Sequence, residues 1–202
     1  VALIVAESRY QAEDALELMV VDYEPLPVCI DAEADPIIAL HDEAADNVAS
    51  HFVMEKGDVT TAFAKAEHVT KLRFVSGRHS GVPLETRGLL AHYDLFQRRL
   101  RVWGPTKVTH FNRGVLAHML DIPESQIQMI EPDVGGGFGV RGEFYPEDHL
   151  IPYAALHLNR PVKWVEDRLE NMVACNHSRQ QVYEIELAIN RDGTILGVQV
   201  QL

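Results

Sequence analysis

At 202 residues the chain is long enough for one large domain, or for one domain joined to part of another. Its 47% hydrophobic and 24% charged content is that of an ordinary globular protein, and no apolar run nears the roughly 20 residues of a membrane span. The formal net charge of −12 speaks against a nucleic-acid partner, because phosphate binding needs clustered Lys and Arg.

VALIVA at 1–6 reads as an apolar strand. ESRYQAEDALELM follows with helical spacing, Ala12, Ala15, Leu16 and Met19 sharing one face. VDYEPLPVCID is an extended segment whose prolines suit a sheet edge. Together these predict a compact strand–helix–strand unit. The acidic stretch DAEADPIIALHDEAADN, with Pro36, reads as a solvated linker. GDVTTAFAKAE predicts a short helix capped by Asp58, and HVTKLRFVS a half-buried strand. LLAHYDLFQRRLRVWGP predicts a hairpin turning between Asp94 and Arg98. HFNRGVLAHMLD is a helix, IQMIEP a strand, EDHLIPYAALHLN a helix, RPVKWVED a strand and RLENMVACN a short helix. The closing QVYEIELAINRDGTILGVQVQL predicts two strands around the turn Asn190-Arg191-Asp192-Gly193. Both ends read as cut through strands, so the chain reads as a piece of a longer polypeptide.

EPDVGGGFGVRGEFYPED contains G-x-G-x-x-G at Gly137, Gly139 and Gly142. A dinucleotide fingerprint needs a helix opening within the motif. Pro146 would stand inside the first turns of that helix, at a cost of about 3 kcal/mol. The helix is better started at Pro146 itself, since proline is accepted at the first helical position. Pro132 also interrupts the incoming strand. The motif therefore argues against NAD. Bare glycine backbone can still turn successive N–H groups onto an oxygen-rich ligand, and Arg141 adds planar cationic donors suited to phosphate. The residues leave open a loop for a phosphate- or oxo-bearing cofactor and a glycine-rich turn that binds nothing. A free-standing α/β module whose loop takes a nucleotide or other anion is the alternative at the level of function.

Two cysteines, Cys29 and Cys175, cannot ligate an iron–sulfur cluster or a zinc ion by themselves, and they suit a reducing, cytoplasmic location. The ten histidines are scattered. His149 and His157 share a predicted helix but are too far apart for an i, i+4 ligand pair.

GDVTTAFAKAEHV, PLETRG, RVWGPTKVTH, LDIPESQIQMIEPDVGGGFGVRG and RPVKWVEDRLENM occur in this order. In that order the chain resembles the molybdopterin-binding large subunit of the molybdenum hydroxylases, the family of xanthine dehydrogenase, aldehyde oxidase and carbon monoxide dehydrogenase. The resemblance implies a mixed α/β (α+β) fold. Residues 1–35 would be the C-terminal half of a small hammerhead domain, 36–55 an acidic linker, and 56–202 the N-terminal part of the cofactor-binding domain. It places Gly136, Gly137, Phe138 and Gly139 at the cofactor, with the Phe138 amide beside the oxygen or sulfur ligands of molybdenum. Arg141 suits cofactor phosphate, the substrate funnel or a surface salt bridge. The cofactor would be molybdenum-molybdopterin, with a cytosine or guanine dinucleotide form possible. The implied reaction is hydroxylation with water as oxygen source, and the general-base glutamate would lie outside this chain. Electrons would leave through 2Fe-2S clusters and FAD on partner subunits or domains. The substrate would be a small molecule, and the heteromeric unit a homo-oligomer.

Departures from the family pattern bear on substrate. Xanthine oxidoreductases carry Q-E-H-F-Y-L-E-T where this chain has HSGVPLET, so His79 takes the place of the glutamine over the metal. Gly88 stands where the carbon monoxide enzymes have a glutamine. G-G-K-E after the phenylalanine is here G-V-R-G, which puts Gly142 at the purine-contacting glutamate and leaves Glu143 one residue away. His79, Arg87, Gly142 and Glu143 are thus candidates for the substrate pocket, for an aldehyde or aromatic heterocycle rather than xanthine. Glu85 and Arg87 also suit a buried structural ion pair, and Cys175 an inert thiol.

Overall fold

The computed structural model describes residues 2–31, 33, 38–104 and 106–202. Its helices in chain order are α1 (Arg9–Glu17), α2 (Val59–Lys65), α3 (Thr109–Leu120), α4 (Pro146–Leu158) and α5 (Arg168–Ala174). Its strands are β1 (His68–Ser76), β2 (Gly88–Asp94), β3 (Arg99–Trp103), β4 (Ile127–Ile130), β5 (Val162–Val165), β6 (Gln181–Ile189) and β7 (Ile195–Gln201). These form two compact units, Val1–Ala12 with Phe74–Val182, and Glu13–Arg73 with Tyr183–Leu202.

The first unit is organised by a four-stranded sheet of order β4-β3-β2-β5. β2 pairs antiparallel with β3 and β5, whereas β3 and β4 run parallel, joined by the α3 crossover. The β2–β3 hairpin turns where the sequence predicts, and Asp94 Oδ1 accepts the Phe96 and Gln97 N–H groups at 3.0 Å. One sheet face is apolar because alternate residues point the same way. Leu89 and Ala91 of β2, Leu100 and Val102 of β3, Ile127 of β4 and Val162 of β5 form that face. Against it lie Leu116 and Ala117 of α3 and Ile151, Ala154 and Ala155 of α4. The i, i+3, i+4 spacing of the α4 residues keeps them on one stripe, and the alanines let the helix approach the sheet closely. Each fully buried Leu or Ile contributes about 1.5–3 kcal/mol.

The topology also gathers four chain segments at one end of this sheet. Gly88, at the start of β2, pairs with Val165, at the end of β5. Trp103 and Ile130, at the ends of β3 and β4, pair with each other. Residues 81–87, 104–108, 131–145 and 166–171 therefore all leave or enter the sheet at the same edge. α4 begins at Pro146, as the proline argument requires, and Asp148 Oδ2 accepts the Tyr145 N–H at 2.8 Å. α5 opens on a reciprocal cap, with Asp167 accepting from Glu170 N–H and Glu170 from Asp167 N–H, both at 2.7 Å.

In the second unit the sheet order is β1-β6-β7, and α2 packs on β7. β6 and β7 form the expected hairpin, with Gly193 at φ +87° in the turn. Asp58 caps α2, its Oδ1 accepting the Thr61 N–H at 2.9 Å. β1 forms where expected but is mostly exposed rather than half-buried.

The strand–helix–strand expectation for the first 31 residues is corrected. Only the helix forms; residues 2–6 and 20–31 belong to no strand. Apolar composition favours extended backbone, but a strand exists only when a neighbour takes its ladder hydrogen bonds, and among the described residues none does. Residues 38–55 hold no helix or strand beyond an isolated bridge between His41 and Ala44. Pro36 of the expected linker lies outside the described residues.

Candidate functional site

The glycine loop is held in a conformation that ordinary residues avoid. Gly136 and Gly139 have φ of +105° and +98°, and Phe138 between them has φ +48°. On the neighbouring segment Val82 has φ +38°. Left-handed backbone at a residue with a Cβ costs roughly 1–2 kcal/mol, and strain of this kind collects at ligand-binding sites. Phe138 gains nothing by burial, for 77% of it is exposed. Among the described residues the N–H groups of Gly136, Gly137, Phe138 and Gly139 donate to no protein acceptor. Four successive free donors on a backbone of changing φ sign form the kind of concavity that takes anionic or oxygen ligands.

A brace beneath the loop explains how it keeps this shape. Glu85 exchanges two bonds with Gly135: its N–H donates to the Gly135 carbonyl at 3.2 Å, and its Oε2 accepts the Gly135 N–H at 2.8 Å. The approach is so close that a Cβ on Gly135 would stand 2.5 Å from the Glu85 Cβ. Arg141 completes the brace. Its Nη2 donates to the carbonyls of Glu85 and Thr86 at 2.8 and 3.0 Å and to Glu85 Oε2 at 3.1 Å. Its Nε donates to the Gly136 carbonyl at 3.3 Å. The arginine that the sequence points at a cofactor phosphate is thus buried under the loop.

Arg87 sits deeper. The expected partner was Glu85; the structure pairs Arg87 instead with Glu166 and Glu147. Arg87 Nε and Nη2 donate to Glu166 Oε1, its backbone N–H donates to Oε2 at 3.0 Å, and Nη1 donates to Glu147 Oε2 at 3.0 Å. Asn171 Nδ2 donates to Glu166 Oε2 at 2.7 Å, and the Tyr145 ring lies 3.9 Å below the guanidinium. Tyr145 in turn donates its hydroxyl to the Val140 carbonyl at 2.8 Å, so the cluster reaches the glycine loop. Burial alone would raise the Glu166 pKa, but the bonds from Arg87 and Asn171 outweigh it and hold the carboxyl below the usual glutamate range. Asp148 goes the other way, because burial outweighs the Tyr145 N–H and the Arg87 charge. Burial and the Glu166 carboxylate push the Cys175 thiol up, which keeps it protonated at neutral pH, in line with an inert thiol.

The remaining candidates divide. Arg87 and Glu143 line one small cavity with Tyr145 and Trp164. His79 is exposed and lies apart from that cavity, its backbone N–H bonded to Ser178 Oγ at 2.9 Å and its carbonyl accepting the Ser178 N–H at 2.8 Å. Gly142 faces the Lys107 side chain. His149 and His157 flank Tyr153, which stacks on His157 at 3.9 Å, and no group of three or more metal-ligating side chains occurs among the described residues. Sequence reasoning missed Glu166, Glu147 and Tyr145 as partners of Arg87. The one available signal was Glu166 itself, an acidic residue ending an apolar strand.

Residues 40–202 match the molybdopterin cofactor-binding domain. The chain belongs to that family. It is 41% identical over 203 residues to the nicotine 6-hydroxylase large subunit of Paenarthrobacter nicotinovorans, covering 98% of this chain and 25% of that protein. It is 38% identical over 215 residues to the carbon monoxide dehydrogenase large chain of Afipia carboxidovorans, covering 98% of this chain and 27% of that one. The solved quinoline 2-oxidoreductase of Pseudomonas putida 86 superposes with a TM-score of 0.86 at 38% identity, over 96% of this chain and 25% of that chain. The chain therefore spans about a quarter of these relatives' length. These likenesses favour a molybdopterin-domain segment over a free-standing binding module. No described helix is long and apolar enough to cross a membrane. The loop also passes a test of fit to the family's cofactor. Its free N–H groups suit the oxygen or sulfur ligands of a metal, and a Cβ added at Gly139 would meet nothing within 4 Å, so the loop is open beside Gly139.

Proposed function

We propose that this chain is the part of a molybdenum hydroxylase large subunit that presents the Gly136–Gly139 backbone to the cofactor. The whole enzyme oxidises an aldehyde or aromatic heterocycle with water as oxygen source. The observation that carries this reading is the run of four free N–H groups on a strained loop, because converging donors and strained backbone together are what ligand-binding loops collect. When bound, a molybdenum-molybdopterin group, in cytosine or guanine dinucleotide form, supplies the two-electron oxidation. The chain's own residues hold and orient it. Gly136, Gly137 and Gly139 offer backbone donors, the Phe138 amide would face the metal's ligands, and Arg141 with Glu85 keeps the donors in register. His79, Arg87, Gly142 and Glu143 are the substrate-pocket candidates of this reading, of which Arg87 and Glu143 share one cavity. Residues 1–35 end a hammerhead domain, 36–55 link it, and 56–202 open the cofactor domain. Iron–sulfur and FAD subunits or domains of the same enzyme carry the electrons away within a cytoplasmic, oligomeric complex.

The test is metal and pterin analysis of the native complex purified through the full-length chain. Stoichiometric molybdenum with a pterin nucleotide is expected; a folded complex lacking both overturns the reading. Phe138→Pro removes the amide and forbids φ +48°. It is expected to abolish turnover in the full enzyme, and retained turnover would show that this amide does not serve the metal site.

A further inference from the structure

Val82 is a β-branched residue at φ +38° with 43% of it exposed, so neither backbone preference nor burial favours its shape. Such a residue keeps its conformation only when its surroundings impose it. The bonds on either side of Val82 identify those surroundings. Before it, residue 79 exchanges two bonds with Ser178, at 2.9 and 2.8 Å. After it, Arg168 Nη2 donates to the carbonyls of Pro83 and Leu84 at 2.7 and 2.8 Å. An extended chain sends successive carbonyls to opposite sides. Here both converge on one nitrogen, so the turn at 83–84 is shaped to the guanidinium. Arg168 is itself held. Its Nη1 donates to Asn171 Oδ1 at 2.7 Å, while Asn171 Nδ2 donates to Glu166 Oε2 at 2.7 Å. A carboxylate oxygen only accepts, so the Asn171 amide has one orientation, with its oxygen toward Arg168. All three Arg168 bonds end on neutral oxygens, and the planar fork thus joins the buried Arg87–Glu166 cluster to the strained segment.

That segment leans directly on the glycine loop. A Cβ on Gly136 would stand 3.2 Å from Pro83 Cβ, and one on Gly81 would stand 3.1 Å from Phe138 Cβ. Both gaps are shorter than the roughly 3.5–4.0 Å of an ordinary carbon contact. Only bare backbone fits there, and the Pro83 side chain is fully buried, so a displacement of Pro83 passes to Gly136. We infer that Arg168 is a positioning residue for the cofactor loop: acting through residues 82–84, it sets where the Gly136 and Phe138 amides stand. Arg141 fixes the loop itself, and Arg168 fixes the segment on which the loop leans. The consequence for molybdenum rests on the function proposed above; the link from Arg168 to the loop does not.

The test compares the full-length enzyme complex with its Arg168→Ala and Arg168→Lys variants. Arg113→Ala is the control, since Arg113 pairs with Glu124 at the surface at 3.1 Å. Amide hydrogen exchange reads the loop through Glu85, Gly135 and Val140, whose N–H groups are bonded within the loop or to its brace. Arg168→Ala should quicken these three about tenfold, because bonds from a charged donor are lost, and leave β2 and β3 unchanged. Arg168→Lys keeps charge and length but not the planar fork, so its exchange should fall between alanine and parent; it also keeps the comparison open if Arg168→Ala does not fold. In turnover by Arg168→Ala, kcat should drop about tenfold with KM within about twofold, and the molybdenum(V) resonance of the partly reduced complex should shift. Unchanged exchange at the three amides, a rise shared by β2 and β3, or a lysine variant equal to the parent would each overturn the proposal. So would faster loop exchange with unaltered kcat and resonance. A parent complex without molybdenum would instead remove the function proposed above, and the exchange comparison would still decide whether Arg168 holds the loop.

Discussion

Replacing Glu166 tests whether the buried cluster, rather than surface charge, holds the site end of the sheet together. The Glu166 side chain is 0% exposed and that of Arg87 8%. Its two oxygens accept three bonds from Arg87 and one from Asn171. Glu166→Ala strips all four and leaves Arg87 only Glu147, the situation in which a broken buried pair costs about 3–5 kcal/mol. Glu166→Gln keeps shape and one acceptor oxygen but turns an N–H₂ toward other donors, for about 2–3 kcal/mol. A cooperative unit of 150–250 residues shifts its Tm by about 2–4 °C per kcal/mol, so losses of roughly 6–20 °C and 4–12 °C are expected. The assay is thermal unfolding of the full-length protein, with Glu186→Gln as the control. Glu186 pairs with Lys71 at the surface, where the side chains are 31% and 70% exposed, and an exposed pair is worth under about 1 kcal/mol. The pH dependence has a definite sign. Because the folded Glu166 carboxyl lies below the usual range, its stabilisation is fully present above the unfolded value of about 4.3 and disappears as pH falls through the folded one. The gap between the parent and Glu166→Gln should therefore close in acid. A Glu166→Gln variant no less stable than Glu186→Gln at neutral pH would refute the reasoning.

Asp148→Asn should behave in the opposite sense, since burial raises the folded pKa of Asp148. The substitution keeps an oxygen for the Tyr145 N–H and removes a disfavoured charge, so it should raise Tm at pH 8 and leave it unchanged near pH 3, which a pH series of melts reads directly. Gly135→Ala places a Cβ 2.5 Å from the Glu85 Cβ and must break the reciprocal Glu85–Gly135 bonds. Molybdenum content of the complex should fall several-fold while the melt of the β2–β5 sheet stays near that of the parent. Asp167→Ala removes the N-cap of α5 and should cost about 1 kcal/mol in denaturant unfolding.

Much of the fold was legible in the sequence because it depends on neighbours in the chain. Pro146 opens α4, Asp58 caps α2, and the Asn190–Gly193 turn joins β6 to β7, each set by backbone preferences acting over a few residues. The glycine loop also announced itself, and its prolines were enough to refuse the dinucleotide reading. VALIVA failed because a strand is a property of two segments, and composition speaks for one.

The amino-acid order by itself determined the elements from α2 onward, the caps and turns set by near neighbours, and the place of the glycine loop among segments that identify the family. Tertiary structure alone decided which charges meet. Arg87 and Glu166 stand 79 residues apart, and Arg141 and Glu85 stand 56 apart. Their pairing follows from four strand ends brought to one edge of a sheet. No local preference encodes such a meeting, because ion pairs form wherever the fold delivers opposite charges to a site without water.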